Sequence, residues 1–269
     1  MFCVNFGFIG TGNMGGALAR AVCKATDGSD VMLSDKATAK AQVLANELKC
    51  SFGDIAKVAK NAKFIFLGVK PQVMADALNE ILPVLNSRTD RYVLVTMAAG
   101  LKISAICDML GFNCPVIRIM PNTPVSAGKG MILYTANSEV FMDELGEFCD
   151  SLKYAGKLDK LDEKLIDAAS SVSGCGPAFV YLFAEAMADA GVECGLPRTK
   201  ALEYAAQTLS GAAELLLTTG KHPATLKDEV CSPGGTTIAG LHSLEESKFR
   251  GAVMNAVKTA FDKTVELSK

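Results

Sequence analysis

Hydrophobic and polar positions along the first half of the chain form blocks that predict strands and helices in turn. Apolar runs such as "KFIFLGV" (63–69) and "CPVIRIM" (114–120) have the length and β-branched content of buried strands. Further strands are predicted at 3–9, 30–35 and 91–98. Between them, apolar residues recur at helical spacing, as in "QVMADALNEILPVL" (72–85) and "ISAICDML" (103–110). Strands that alternate with helices indicate an α/β fold with a doubly wound parallel sheet.

The pattern changes near residue 162, beyond which helical spacing continues without strands. The predicted helices here cover 162–172, 176–195, 197–220 and 248–267. We therefore predict a sheet domain at 1–161 and an all-helical domain at 162–269. The segment Arg198–Leu217 is apolar around most of its circumference, which a small domain can hardly bury alone. An intertwined homodimer, or a larger homo-oligomer built from dimers, would bury it; a central helix in a monomeric bundle is the alternative.

Composition narrows the class of ligand. The net charge is −2 and the lysines are scattered, so we expect neither a nucleic-acid face nor a membrane surface. No run of eighteen or more uncharged apolar residues occurs and no signal peptide is recognisable, so we expect a cytoplasmic protein that binds a small molecule. The nine cysteines, Cys3 among them, form no CxxC pair, and with only two histidines we predict free thiols and no metal site.

A glycine-rich turn follows the first predicted strand and opens a predicted helix. Gly10, Gly12 and Gly15 fit the pattern G-x-G-x-x-G. The first glycine permits the turn, the second lets a pyrophosphate approach the backbone, and the third lets helix and strand pack closely. The sequence therefore predicts a Rossmann-type dinucleotide-binding domain, with Thr11, Asn13 and Met14 in the same phosphate loop. The alternative is an ordinary strand-to-helix turn with small residues.

The second predicted strand ends at Asp35, twenty residues after Gly15. An acidic side chain at this place binds the adenosine ribose hydroxyls of NAD(H). Ser34 and Lys36 flank it, and a lysine here could instead accept the 2′-phosphate of NADP(H). Asp35 could also serve only as a cap for the next helix. The residues thus leave NADPH and NADH open as cofactors.

Three further turns follow predicted strands, at 68–72 ("GVKPQ"), 96–100 ("TMAAG") and 120–124 ("MPNTP"). Ligands of doubly wound sheets bind beyond the carboxyl ends of the strands, so these turns are predicted to line one crevice. The alternative is that their prolines only stop strands and begin helices. The candidate cofactor-binding residues in them are Val69, Lys70, Pro71, Ala98, Ala99, Pro121 and Asn122.

Two glycine turns interrupt the helical half, "SGCGPAF" (173–179) and "SPGGTT" (232–237). Each precedes a predicted helix, so each is expected to present unpaired backbone N–H groups to a carboxylate. In the second turn we predict that Thr236 caps the helix and that Thr237 donates a hydrogen bond to a substrate. The alternative is an ordinary capped turn between two helices.

Over nearly its whole length the chain resembles the pyrroline-5-carboxylate reductases. The motifs that carry the resemblance are "GFIGTGNMGGAL", "VKPQ", "IRIMPNTP", "SGCGPAFVYLF" and, most specific, "LKDEVCSPGGTTIAGLHSLE". The resemblance implies hydride transfer from NAD(P)H to a cyclic imine, which gives L-proline in the last step of its biosynthesis. It also implies that the substrate carboxylate meets backbone amides around Gly234, Gly235 and Thr236, and that Thr237 is the catalytic residue at the ring nitrogen. Further substrate-binding residues implied are Ser173, Gly174, Cys175, Gly176 and Pro177.

One residue departs from the family pattern, because Cys175 stands where family members commonly have serine. A thiol is bulkier and donates more weakly, which could alter affinity or redox sensitivity. The sequence leaves open whether Thr237 delivers a proton or only orients the imine. Other two-domain reductases, such as β-hydroxyacid dehydrogenases or imine reductases, are the enzyme alternative. A cofactor-binding regulatory protein is the other alternative, but it would not need Thr237 or a carboxylate turn.

Overall fold

The computed structural model describes residues 4–267. Within them, eight strands form one sheet in the order β3-β2-β1-β4-β5-β6-β7-β8. The strands are β1 (Val4–Ile9), β2 (Val31–Ser34), β3 (Ser51–Phe52), β4 (Ala62–Leu67), β5 (Val93–Thr96), β6 (Val116–Met120), β7 (Gly130–Ala136) and β8 (Gly156–Lys160). Neighbours from β3 to β6 pair in parallel, which confirms the predicted doubly wound α/β class. Cys3, in the first predicted strand, lies outside the described residues.

Helices cover both faces of the sheet. Those of the first half are α1 (Asn13–Ala25), α2 (Thr38–Leu48), α3 (Ile55–Asn61), α4 (Met74–Ser87), α5 (Ile103–Leu110) and α6 (Met142–Ser151). Alternate side chains of each strand point to opposite faces. Phe64 and Phe66 of β4 therefore join a core with α1, α2 and α6, whereas Ile65 and Leu67 join a second core with α3, α4 and α5.

The last two strands depart from the all-parallel prediction. β7 pairs with β6 in antiparallel fashion, and β8 then pairs with β7 in parallel. The connection between β6 and β7, residues 121–129, is shorter than the crossover of about a dozen residues that a parallel pair needs. The chain therefore turns back beside β6 and extends the sheet beyond its parallel part.

The first helix of the helical half belongs to the same compact unit as the sheet. Its helices are α7 (Glu163–Ser173), α8 (Gly176–Glu193), α9 (Arg198–Thr219), α10 (Pro223–Glu229), α11 (Thr236–Glu246) and α12 (Phe249–Leu267). The chain forms two compact units, one up to Gly174 together with the segment from Phe261, the other Cys175–Ala260. The boundary predicted after residue 161 stays a prediction.

The second unit buries few of its own apolar side chains. Its buried hydrophobic residues, where α8 packs on α9, are Ala188, Ala201 and Ala205. Leu202, Leu215 and Leu217 of α9 are 52%, 52% and 75% exposed, so one copy of the unit leaves the predicted apolar helix largely uncovered. These faces need a further surface to pack against.

One helical segment, Glu163–Glu193, is long and apolar enough to cross a membrane by length and composition alone. It carries Glu185 and Asp189 within its apolar part. The core helix of a soluble protein passes the same test, so one such segment is weak evidence for a membrane span. The eight cysteines from Cys23 to Cys231 are free thiols.

Candidate dinucleotide and substrate sites

The glycine loop lies where the carboxyl ends of β1, β2 and β4 meet. The Gly10 amide donates to the Ser34 carbonyl at 2.8 Å, and the Gly68 amide donates to the Ile9 carbonyl at 2.7 Å. Gly10 has a φ of +93°, and a Cβ there would lie 2.7 Å from the Gly68 carbonyl oxygen. The loop therefore requires glycine at position 10 for both conformation and space.

The other two glycines of the motif differ in what surrounds them. A Cβ on Gly15 would lie 2.1 Å from the Gly10 carbonyl oxygen, so this glycine lets α1 pack against the loop. A Cβ on Gly12 would meet nothing within 4 Å. Gly12 is the N-cap of α1 and has no side chain that could cap the helix, so the helix start faces open space. This space fits a pyrophosphate, which would approach the backbone N–H groups and the positive end of the helix dipole.

Asp35 is joined to the glycine loop by hydrogen bonds. Its Oδ2 accepts from the Thr11 amide at 2.6 Å and from the Thr11 hydroxyl at 3.1 Å, and its Oδ1 accepts from the Ala37 amide at 2.9 Å. Partial burial acts to raise the pKa of Asp35, but the hydrogen bonds from Ala37 and Thr11 outweigh it and hold the pKa below its ordinary value. The alternative that Asp35 caps the next helix is wrong, because the N-cap of α2 is Ala37.

A cavity of about 640 Å³ opens beside this loop, a size typical of small-molecule sites. Seven of the predicted cofactor residues line it, namely Gly10, Gly12, Ser34, Asp35, Lys36, Val69 and Lys70. Residues that sequence reasoning missed complete the lining, among them Phe52, Gly53, Asp54, Asp76 and Glu80. Phe52, Gly53 and Asp54 were missed because β3 has only two residues and α3 only seven, too short for a clear periodic signal. Asp76 and Glu80 lie in α4, a helix that was predicted without its contribution to the cavity. The cavity and the glycine loop together fit the adenosine half of a dinucleotide.

The remaining predicted cofactor residues lie outside this lining. Thr11, Asn13, Met14 and Gly15 belong to the loop and the first turn of α1, and Pro71 begins a short 3-10 turn before α4. Ala98 is buried and Ala99 is exposed after β5. Pro121 is buried after β6. Their contact with a cofactor stays a prediction.

Asn122 has a structural task that the sequence did not reveal. Its side-chain amide donates to the Ser173 carbonyl at 2.9 Å and its carbonyl accepts from the Met131 amide at 2.8 Å. The side chain is 9% exposed. Asn122 thus joins the end of β6 to β7 and to the C-terminal end of α7.

A buried arginine supports the same connection. The Arg118 side chain in β6 is fully buried. Its guanidinium donates to the Asp167 carboxylate of α7 at 2.6 Å and to the Glu163 carboxylate at 3.5 Å. Its Nε finds no partner among the described residues. Glu163 also accepts from the Ile103 amide at 2.7 Å, which ties α7 to the start of α5. A lone arginine within the apolar strand "VIRIM" was the sequence signal that could have revealed this ion pair.

The first predicted substrate turn is less open than its glycines suggested. Gly174 (φ −77°, ψ −46°) and Cys175 (φ −85°, ψ −29°) both keep right-handed helical conformation. The Gly174 amide donates to the Ser170 carbonyl at 2.7 Å. The expectation that both turns free their backbone N–H groups is therefore wrong for Gly174. Gly176 and Pro177 form the first turn of α8.

The second turn changes the chain direction sharply. Gly234 has a φ of +68°, in the left-handed region that favours glycine. Gly235 is the N-cap of α11, so the prediction that Thr236 caps this helix is wrong, since Thr236 is its first residue. Thr237 is exposed, and its hydroxyl makes no hydrogen bond within residues 4–267. The expectation of a free backbone N–H is wrong for Gly235, whose amide donates to the Ser232 carbonyl at 3.0 Å. The N–H groups that the start of α11 offers therefore begin at Thr236, beside a free hydroxyl.

Comparisons with known proteins identify the family. Residues 163–267 match the family model described as pyrroline-5-carboxylate reductase dimerisation, and residues 5–100 match that described as NADP oxidoreductase, coenzyme F420-dependent. The chain is 37% identical to the pyrroline-5-carboxylate reductase of Escherichia coli K12 over 266 residues, 98% of each chain. A solved Plasmodium falciparum pyrroline carboxylate reductase with NADP bound matches with 32% identity and a TM-score of 0.88 over 100% of both chains. A Coxiella burnetii pyrroline-5-carboxylate reductase matches with 28% identity and a TM-score of 0.90 over 99% of both chains.

These matches confirm the resemblance inferred from the motifs and the predicted fold class. They extend through both the sheet and the helices, so they are not limited to a common nucleotide-binding fold. The chain belongs to the pyrroline-5-carboxylate reductase family.

Proposed function

We propose that this chain is a pyrroline-5-carboxylate reductase, which reduces the cyclic imine 1-pyrroline-5-carboxylate to L-proline with NADPH or NADH. The observation that carries the proposal is family membership over 98% of the chain, with the "SPGGTT" turn intact at a helix start. The enzyme alternatives from the sequence, including imine reductases with other substrates, do not account for that turn.

The dinucleotide is held by groups of the first unit. The open space at Gly12 and the N-terminus of α1 receive the pyrophosphate, and the cavity beside Asp35 receives the adenosine. Val69, Lys70 and Pro71 follow β4 and contact the cofactor, Val69 and Lys70 from the wall of the same cavity. When bound, the cofactor supplies a hydride from its nicotinamide ring.

The substrate is held by the helix start in the second unit. Backbone N–H groups around Gly234 and Thr236 bind its carboxylate, because a helix N-terminus has unsatisfied donors and a favourable dipole. The Gly235 amide is not among them, since it donates to the Ser232 carbonyl. The Thr237 hydroxyl contacts the ring nitrogen. The turn Ser173–Pro177, with Cys175, lies beside the substrate.

The reaction needs little acid or base from the protein. A protonated cyclic imine is already electrophilic at carbon, so hydride forms the new C–H bond there and the C=N π electrons move to nitrogen, which keeps its proton in the product amine. The chain's tasks are alignment, charge complementarity and exclusion of water. Thr237 holds the imine N–H or supplies its proton. His222 and His242 are exposed, in agreement with a chemistry that uses no histidine.

The protein assembles as a homo-oligomer, as the dimerisation model over 163–267 indicates. We propose a dimer or a multiple of dimers, in which a second copy covers the exposed apolar faces of α8 and α9. The same contact, rather than lipid, covers the segment 163–193. We also propose the domain division at 1–161 and 162–269 and a cytoplasmic location, with no nucleic-acid or membrane partner.

The test is oxidation of NADH or NADPH by the purified chain, followed at the nicotinamide absorbance, with 1-pyrroline-5-carboxylate as the substrate. We expect oxidation that depends on the imine and yields L-proline. Acyclic 2-oxo acids, which can also accept a hydride, serve as negative substrates. Equal reduction of NAD+ or NADP+ by a β-hydroxy acid in the reverse assay, or no oxidation of NADH or NADPH with the imine, would reject the proposal.

A further inference from the structure

We infer that this chain binds NADH in preference to NADPH, because Asp35 is fixed at the place where the 2′ position of the adenosine ribose lies. The inference rests on the proposed function, which assigns the cavity to a dinucleotide. It goes further by selecting one of the two cofactors that the sequence left open.

The Asp35 carboxylate is held in place by its hydrogen bonds. Its two oxygens accept three hydrogen bonds, from the Thr11 amide at 2.6 Å, the Thr11 hydroxyl at 3.1 Å and the Ala37 amide at 2.9 Å. Thr11 belongs to the glycine loop, so rotating Asp35 away would disturb the pyrophosphate site as well. The depressed pKa of Asp35 keeps the group ionised at neutral pH.

One acceptor position of the Asp35 carboxylate remains free. A carboxylate offers about four, and three of them are used. The free position lies on Oδ1, which has only the Ala37 amide as a donor. A ribose 2′-hydroxyl can donate to it. A fully ionised 2′-phosphate has no proton to donate, and a 2′-phosphate brings a charge of about −1.5 to −2 against a fixed negative charge.

The surrounding cavity wall carries more acidic than basic side chains. Besides Asp35, the lining holds Asp54, Asp76 and Glu80, against the two lysines Lys36 and Lys70. Among residues 4–267, the lining includes no arginine, the side chain that binds phosphate in a bidentate manner. Lys36 is exposed at the cavity edge, so binding a phosphate would require ordering a flexible side chain. Lys36 therefore compensates only part of the repulsion from Asp35.

The experiment measures binding without the imine, so that it does not depend on turnover. Isothermal titration calorimetry of the purified full chain gives the Kd of NADH and of NADPH. We expect NADH to bind at least about tenfold tighter, a difference of about 1.4 kcal/mol. Competition by adenosine 5′-monophosphate and adenosine 2′,5′-bisphosphate should show the same order, which places the discrimination at the adenosine end.

Two variants assign the effect to its residue. With Asp35→Ser, the Kd values of NADH and NADPH should differ by less than about threefold, or their order should reverse. Asp35→Asn replaces this variant if a thermal unfolding scan shows that Asp35→Ser folds poorly. Glu80→Gln removes one charge from the same cavity wall and should shift the ratio much less than Asp35→Ser.

Tighter or equal binding of NADPH by the parent chain would overturn the inference and leave the proposed function intact. An equal shift by Glu80→Gln would overturn the assignment to Asp35. Absence of binding by either dinucleotide would overturn both. Clear NADH preference without reduction of the imine would overturn the proposed function alone.

Discussion

A methyl group at Gly12 should separate cofactor binding from folding. A Cβ at this position meets no heavy atom within 4 Å, and the backbone (φ −61°, ψ −166°) is open to alanine. Gly12→Ala gains about 0.4–1 kcal/mol from the lower entropy of the unfolded chain. It loses a similar amount because alanine is a poorer N-cap residue than glycine. We therefore expect the free energy of unfolding to change by no more than about 0.5 kcal/mol.

The effect on binding should be much larger. The methyl group would occupy the space through which the pyrophosphate reaches the N–H groups at the start of α1. A hydrogen bond to a charged group contributes about 1.5–3 kcal/mol, so loss of one or two raises Kd by about 10²-fold, or about 2.7 kcal/mol. The assays are thermal unfolding without ligand and calorimetric titration with NADH.

Gly15→Ala is the comparison variant, because its Cβ would lie 2.1 Å from the Gly10 carbonyl oxygen. Forcing the loop and α1 apart should cost about 1–3 kcal/mol of stability even without ligand. If Gly12→Ala binds NADH as tightly as the parent, the pyrophosphate does not lie at this helix start. If it loses as much stability as Gly15→Ala, the space at Gly12 is not open.

Four further predictions follow from the described contacts. Thr237→Val should lower kcat/KM about tenfold if the hydroxyl orients the imine and about 10²- to 10⁴-fold if it donates the proton. The loss should grow at higher pH, and thermal stability should be retained. Thr236→Val, at the first residue of α11, should lower kcat/KM less. Arg118→Met should lower the free energy of unfolding by about 3 kcal/mol in urea titrations, because it leaves the Asp167 carboxylate without its partner. Because the folded-state pKa of Asp35 is depressed, the stability difference between the parent and Asp35→Ser should be full above about pH 4 and shrink as the pH falls further. Light scattering at assay concentration should give a dimer or a multiple of it, and a fully active monomer would contradict the proposed assembly.

The sheet and its phosphate loop were predictable because their signals are local. The glycines of the motif stand at fixed spacing after an apolar run, and the chemistry of backbone approach follows from that spacing alone. The edge strand β8 was not predicted, since "GKLDK" has Leu158 as its one apolar residue and pairs only with β7. The antiparallel β7 likewise depends on how short the preceding connection is.

The candidate sites show the same division between local and tertiary information. Asp35 could be placed near a ribose from its distance along the chain, but its hydrogen bonds to Thr11 depend on the folded loop. The hydrogen bonds of the Asn122 side chain to Ser173 and Met131 likewise depend on the fold, and its contact with a cofactor stays a prediction. The N-cap of α11 was wrongly predicted at Thr236, because its position depends on the backbone angles of Gly235, which the sequence does not give.

The central claim is that this chain transfers a hydride from a nicotinamide to the imine carbon of 1-pyrroline-5-carboxylate. Incubating the purified chain with the imine and NADH deuterated at the transferable position of the nicotinamide, followed by mass spectrometry of the product, tests it most directly. The account predicts L-proline that carries one deuterium at the former imine carbon. Unlabelled proline, or no proline from a chain that binds NADH, would contradict it.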